Sequence, residues 1–132
     1  MNKVGPKSTR AVAGSQGRIL YCESDERVLA EESKMFERGG YSVERVQGRA
    51  ACVLALQKGQ YDAVVLGHTL TKDDRHHLPY MAKKSNEDMP VLVLHASGKH
   101  PAVDHAMDSR EGEKAVLAAL ASLTQMRMAM AV

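Results

Sequence analysis

A chain of 132 residues, 44% apolar and 26% charged, has room for one globular domain and none for a second catalytic or DNA-binding one. One Phe, four Tyr and no Trp leave the core to Val, Leu, Ile, Ala and Met. The net charge of +2 is uneven: Lys3, Lys7, Arg10 and Arg18 fall in the first 18 residues, but with no aromatic among them they fall short of a nucleic-acid-binding signature.

Residues 1–17 show no apolar periodicity and read as a flexible basic leader to a domain over 18–123. ILYC (19–22) is a strand, and Ser24 and Asp25 are placed to cap a helix over 26–38 that Gly39-Gly40 stops. Val28, Leu29, Met35 and Phe36 form its apolar stripe. YSVERV (41–46) alternates as a strand with one exposed face, and a second helix follows over 49–58, with Cys52, Val53 and Leu56 inward and Gly59 as its stop. DAVVLG (62–67) is the continuous apolar run of a strand covered by helices on both faces. Thr71 and Asp74 fit a capping box for a third helix over 72–84, in which Pro79 must sit near an end or produce a kink. VLVLHA (91–96) has the same central character. After Ser97-Gly98 neither period is clear, and a loop and a brief edge strand over 103–107 are expected. Ser109 or Asp108 caps a last helix over 112–123, with Val116, Leu117, Leu120 and Leu123 inward, and residues 124–132 continue it or fray.

Strand–helix alternation repeated five times predicts an α/β fold with a doubly wound, five-stranded parallel sheet and right-handed crossovers. In such sheets a ligand crevice lies beyond the carboxyl ends of the strands, here at Glu23, Ser24 and Asp25, at 67–69 and at 95–97. Cys22 and Cys52 match no CxxC pattern and sit in apolar runs, as small buried hydrophobes do. The N-terminus lacks a signal-peptide core, and no apolar run approaches the roughly 20 residues that span a membrane, so the cytoplasm is the default address.

At these positions the sequence resembles the receiver domain of two-component response regulators, over about residues 18–123. ILYCESDE is similar to the family's first strand and acidic pair, YDAVVLGHTL to its third strand and MPVLVLHAS to its fourth. The resemblance implies the receiver, or flavodoxin-like, strand order 2-1-3-4-5. It also places the magnesium-binding acidic pair at Glu23 and Ser24, with Asp25 next, the phosphoacceptor aspartate at Gly67 and the switch Ser or Thr at His95, with no counterpart of the family's lysine near Ser109. Glycine has no side chain to attack phosphorus, so phosphoryl transfer by the family's route is excluded. Ala96 and Arg110 are 14 positions apart, which shortens the region of the family's fourth helix and fifth strand.

Six histidines stand out: His68, His76, His77, His95, His100 and His105. His68 and His95, beside Glu23 and Asp25, offer the nitrogen and carboxylate ligands that zinc takes, although their spacing matches no compact metal motif and hydrogen-bonded loop histidines fit the pattern too. Gly67-His68-Thr69 could offer backbone amides to an anion, but no GxGxxG, GxxxxGK[ST] or GxSxG occurs. Lys72, Asp73, Asp74, Arg75, His76, His77 and Tyr80 form a dense polar patch, read as a partner-recognition surface against the plain alternative of a solvated helix face. The sequence therefore reads as a stand-alone pseudo-receiver: a cytoplasmic, non-enzymatic protein-interaction module of a signalling pathway, without cofactor and not phosphorylated at the usual position. The alternative is a small-ligand or metal-binding domain using Glu23, Asp25, His68 and His95. No membrane association is expected, nucleic-acid binding ranks last, and neither partner nor oligomeric state is fixed by the sequence.

Overall fold

In the computed structural model, which describes residues 16–95 and 101–131, the first strand β1 (Gly17–Glu23) is buried on both faces. Its four apolar residues alternate between two cores, because successive side chains of a strand point to opposite sides. Ile19 and Tyr21 join one cluster with Leu29, Phe36, Val116 and Leu120. Leu20 and Cys22 join the other with Cys52, Leu56, Leu78 and Ala82. Strands β3 (Ala63–Leu66) and β4 (Val91–Val93) divide in the same way, which is why their sequences are apolar without a break.

β1 pairs in parallel with β2 (Tyr41–Gln47) on one side and β3 on the other. β4 and the short β5 (His105–Ala106) complete a five-stranded parallel sheet in the order β2-β1-β3-β4-β5. Helices α1 (Glu26–Arg38) and α4 (Glu113–Ala131) cover one face, and α2 (Gly48–Lys58) and α3 (Lys72–Ser85) cover the other. The register pairs Cys22 with Leu66 and Leu66 with Val93. Glu23, Gly67 and the residues after Val93 therefore leave the sheet along one common edge, at the reversal of strand order where open α/β sheets form their crevice.

Local chemistry sets the helix ends. The Asp25 side chain accepts from the Val28 amide at 3.0 Å to start α1, and the Thr71 hydroxyl accepts from the Asp74 amide at 3.1 Å to start α3. Gly39 returns its amide to Met35 and Phe36, and Gly40 takes φ 97°, a left-handed conformation that turns the chain into β2. In the margins of the stripes Val53, Leu117 and Leu123 are partly buried, while Ala55 and Ser33 are the inward residues the periodicity did not single out.

Three expectations are sharpened by the structure. Of the two placements open to Pro79, the one near a helix end is excluded: it sits inside α3, buried beside Leu78, and the helix runs on to Ser85 because burial of that face outweighs the one backbone hydrogen bond that proline cannot donate. The described residues contain four α-helices, at the places where the sequence marks them, and between β4 and β5 the described residues hold none. The edge strand β5 covers two residues instead of five, and just before it the exposed Asp104 turns its carboxylate to the start of β4. Its Oδ2 accepts from the Val91 amide at 2.7 Å and from Lys83 Nζ at 2.6 Å, and the same ammonium donates to the Met89 carbonyl at 2.6 Å. One lysine of α3 thus pins the start of β4 to the chain entering β5. Most of the leader and the stretch from Ala96 to His100 lie outside the described residues. None of the described helices is long and apolar enough to cross a membrane.

Leu92, fully buried at the centre of β4, tests the two-sided core. Leu92→Ala is expected to lower the unfolding free energy by about 2–5 kcal/mol, read as a reduced urea midpoint with an unchanged denaturant slope.

Candidate functional site

Tyr21 and Glu23 share a face of β1, and that face points into the core. Glu23 is completely buried. Its Oε1 accepts from the Thr69 hydroxyl at 2.6 Å and the Thr69 amide at 2.9 Å, and its Oε2 accepts from the Tyr21 hydroxyl. Burial, followed by the neighbouring Glu23 carboxyl group, pushes the Tyr21 phenol far above its ordinary pKa, so Tyr21 remains a donor. Three donors satisfy both oxygens of a group that would cost several kcal/mol to bury unmet.

The position of Glu23 explains Gly67. A Cβ at position 67 would lie 1.8 Å from Glu23 Cδ and 1.9 Å from its Oε2. The backbone of Gly67 is not in the left-handed region, so glycine is required here for space rather than for conformation. The carboxyl group of residue 23 fills the volume that a side chain at 67 would take.

Thr69 joins the two loops of this edge. While its hydroxyl donates to Glu23, it accepts from the amides of Ser24 at 2.9 Å and Asp25 at 3.0 Å. The Ser24 carbonyl in turn accepts from Gln47 Nε2 at 3.1 Å. The ends of β1, β2 and β3 are thereby held in one network. Tyr21 is the site residue that sequence reasoning missed, and Thr69, placed in the crevice by the sequence for its backbone amide, acts through its hydroxyl as well. A tyrosine two positions before an acid within a strand was the available signal, since alternation puts both on one face.

On the other side of Gly67 the edge is open. His68, Leu94, His95, Asp108, Ser109 and Arg110 line a cleft of about 430 Å³. Asp108 caps the 3-10 turn Ser109–Glu111, accepting from the Arg110 amide at 2.8 Å, and receives the Arg110 guanidinium at 3.0 Å and 2.6 Å. This pairing holds the Asp108 carboxyl down to about 2. For His95, burial first and the Arg75 charge second lower the imidazole below its ordinary 6.5. Among the described residues His95 Nδ1 and Arg75 Nε are buried without a hydrogen-bond partner, an arrangement costing about 1–3 kcal/mol for each such group.

The structure thus brings together His68 and His95 but leaves Glu23 and Asp25 outside their cleft, one buried and one capping α1. Among the described residues no three His, Cys, Asp or Glu stand together to hold a metal ion. The receiver family's magnesium does not fit this donor set either: both Glu23 oxygens are met by protein donors, the Asp25 carboxylate caps a helix and Gly67 offers nothing. His105 lies exposed on β5, and His100 falls outside the described residues. In the polar patch, Asp74 pairs with Arg49 at 2.6 Å and Arg75 turns back to the Leu70 carbonyl, so both serve local structure. Lys72, Asp73 and His76 are exposed, His77 is half-buried, and Tyr80, half exposed, meets the His76 ring edge-on at 6.4 Å.

Solved receiver domains share this architecture. A response regulator receiver domain from Clostridium thermocellum matches with a TM-score of 0.76 at 13% identity, over 86% of this chain and 98% of its own. A CheY-like receiver domain from Methanospirillum hungatei matches at 0.75 and 14% identity, over 86% and 97%. The receiver domain of a sensor histidine kinase from Pseudomonas aeruginosa, whose active-site cleft coordinates magnesium, matches at 0.72 and 16% identity, over 86% and 99%. At these identities the likeness is one of fold. No protein-family model and no curated protein matches the sequence.

Two outcomes test the site. Gly67→Ala should destabilise by at least about 1–3 kcal/mol through overpacking. In Glu23→Ala, which empties the space, the same change should cost far less, and urea unfolding of the four proteins should give a coupling of about 0.5–3 kcal/mol. The His95 prediction concerns acid. Its folded pKa lies below the unfolded one, so the unfolded chain binds more protons, and the contribution of His95 is complete above about pH 6.5 and is lost as pH falls through the folded value. Between about pH 7 and 5 the urea midpoint of the wild type should therefore fall more than that of His95→Phe.

Proposed function

We propose that this chain is a receiver-like signalling module that works without phosphorylation at position 67 and acts by docking to a protein partner. The observation that carries the reading is the place of the Glu23 carboxyl group. A receiver without its acceptor aspartate could keep a vacant crevice; here the vacancy is filled by a side chain from the neighbouring strand. Both oxygens of that side chain are engaged, and through Thr69 they tie the loops after β1 and β3. A covalent switch needs a nucleophile, a metal and loops free to respond. This edge has glycine for the first, a donor set closed to the second, and a hydrogen-bonded network in place of the third. The crevice then has one state, and information passes by the presence of the module rather than by its modification.

Lys72, Asp73, His76 and Tyr80 on α3 are the docking surface in this reading, because they are exposed on the first turns of the helix next to the crevice and Tyr80 offers the aromatic area that interfaces favour. Nothing in the site supplies a complete catalytic set, and the module is read as non-enzymatic.

The test is incubation of the purified chain with magnesium and a small acyl-phosphate donor, followed by mass measurement of the intact protein. An unchanged mass is expected. A hydroxylamine-sensitive phosphoryl group on the chain would end the proposal, wherever it were attached.

A further inference from the structure

The sheet has two edges of unlike kind. β5 forms one with two residues, while β2 forms the other with seven, matched residue for residue to β1 and, among the described residues, paired on that side alone. Edge strands are ordinarily blunted by shortness, by bulges, or by Pro and Lys, because a free row of backbone groups is a template for another strand. β2 has none of these: its register is unbroken, and its sequence, YSVERVQ, contains neither residue.

Beside this edge lies a hollow with apolar walls. α2 turns Arg49 toward α3, where it meets Asp74 at 2.6 Å. The opposite flank of the helix carries Ala51, Leu54, Ala55 and Lys58, neighbours at spacings of three and four, and overhangs β2. With Val46 of β2 those side chains line a cleft of about 520 Å³, and Leu54 among them is half exposed.

The level of Leu54 along the strand says what covers it. α2 starts directly after β2 and runs back along it. Six helical residues, about 9 Å, therefore bring Leu54 from Gly48 back to the level of Arg45, which is three strand residues or about 10 Å from the same point. A two-fold axis perpendicular to the sheet and passing here pairs two copies of β2 antiparallel and keeps each helical layer on its own side. Residues level with the axis then meet themselves, so that Leu54 of each copy faces Leu54 and the hollow of the other. A register centred on Val46 joins valine to valine and sets Arg45 against the second copy's Gln47, so that no like charges oppose. One surface thus carries free edge, knob and hole together, as a contact between identical patches requires.

We propose that β2 pairs with β2 of a second copy of this chain, antiparallel across a two-fold axis, and that Leu54 and Val46 seal the junction. The proposal is independent of the docking reading above, since it uses none of the exposed α3 residues.

The experiment is sedimentation equilibrium of the whole chain from about 1 μM to about 1 mM, concentrations that span moderate to weak association. The mass should rise toward that of two chains, and Leu54→Glu should weaken association by about tenfold or more. Tyr80→Glu and Met126→Glu, at the other large apolar side chains exposed among the described residues, should associate as the wild type does. Amide exchange in β2 should slow as the wild-type concentration rises, and should not respond to concentration in Leu54→Glu. A wild type that stays monomeric throughout overturns the proposal and leaves the edge to a strand of another protein. A dimer that Leu54→Glu leaves intact also overturns it, as does one whose β2 amides exchange no more slowly than those of the monomer. Leu54 is exposed, so the variant is expected to keep the wild-type urea midpoint. If it does not fold, exchange in the wild-type β2 decides the question.

Discussion

A carboxyl group buried at the end of the first strand must be met by donors, and here the donors come from two directions. Tyr21 reaches it along its own strand, and Thr69 reaches it across the sheet. Because the Thr69 hydroxyl also accepts from two amides of the loop after β1, the hydrogen bonds that satisfy Glu23 are the ones that fix the crevice. Such networks are stiff when every member is satisfied, and each member depends on the others. Gly67 follows from the same constraint, as the residue that leaves room for the acid.

The crevice consequently has two halves of opposite character. Around Glu23 the protein has supplied its own ligand, and both oxygens of that carboxyl group have partners. Around His95, among the described residues, nitrogens stay unmet and a guanidinium stands at the rim. Both halves lie on one edge of the sheet because the parallel register brings β1, β3 and β4 to an end together. The division between them runs through the loop 67–69, whose first residue makes space, whose second faces solvent and whose third closes the network.

Much of this fold is written locally. Continuous apolar runs mark the strands that two helical layers cover, Asp25 and Thr71 announce the helices they cap, and the reversal of strand order follows from alternation and handedness. The interior of the site is written non-locally. Whether Glu23 faces the crevice or the core depends on strand phase, and a shift of one residue exchanges the two. Its contact with Gly67 joins positions far apart in sequence, and no pattern around either one reveals it. The same holds for Asp74 and Arg75, which look like solvated helix residues until Arg49 and the Leu70 carbonyl are placed beside them. For Pro79 the sequence leaves two placements open, and only the burial of the surrounding face decides for the helix interior.

The overlap between residue 67 and the acid at 23 also constrains how this sequence can change over time. A lineage that acquired an aspartate at position 67 would first have to lose Glu23, and that intermediate would leave Tyr21 and Thr69 facing an empty, polar hole. The reverse order begins with two side chains in one volume. Each single step is unfavourable while the other partner stands, so the pair acts as a ratchet, and descendants of this chain are held to the glycine long after any selection that first favoured it has passed.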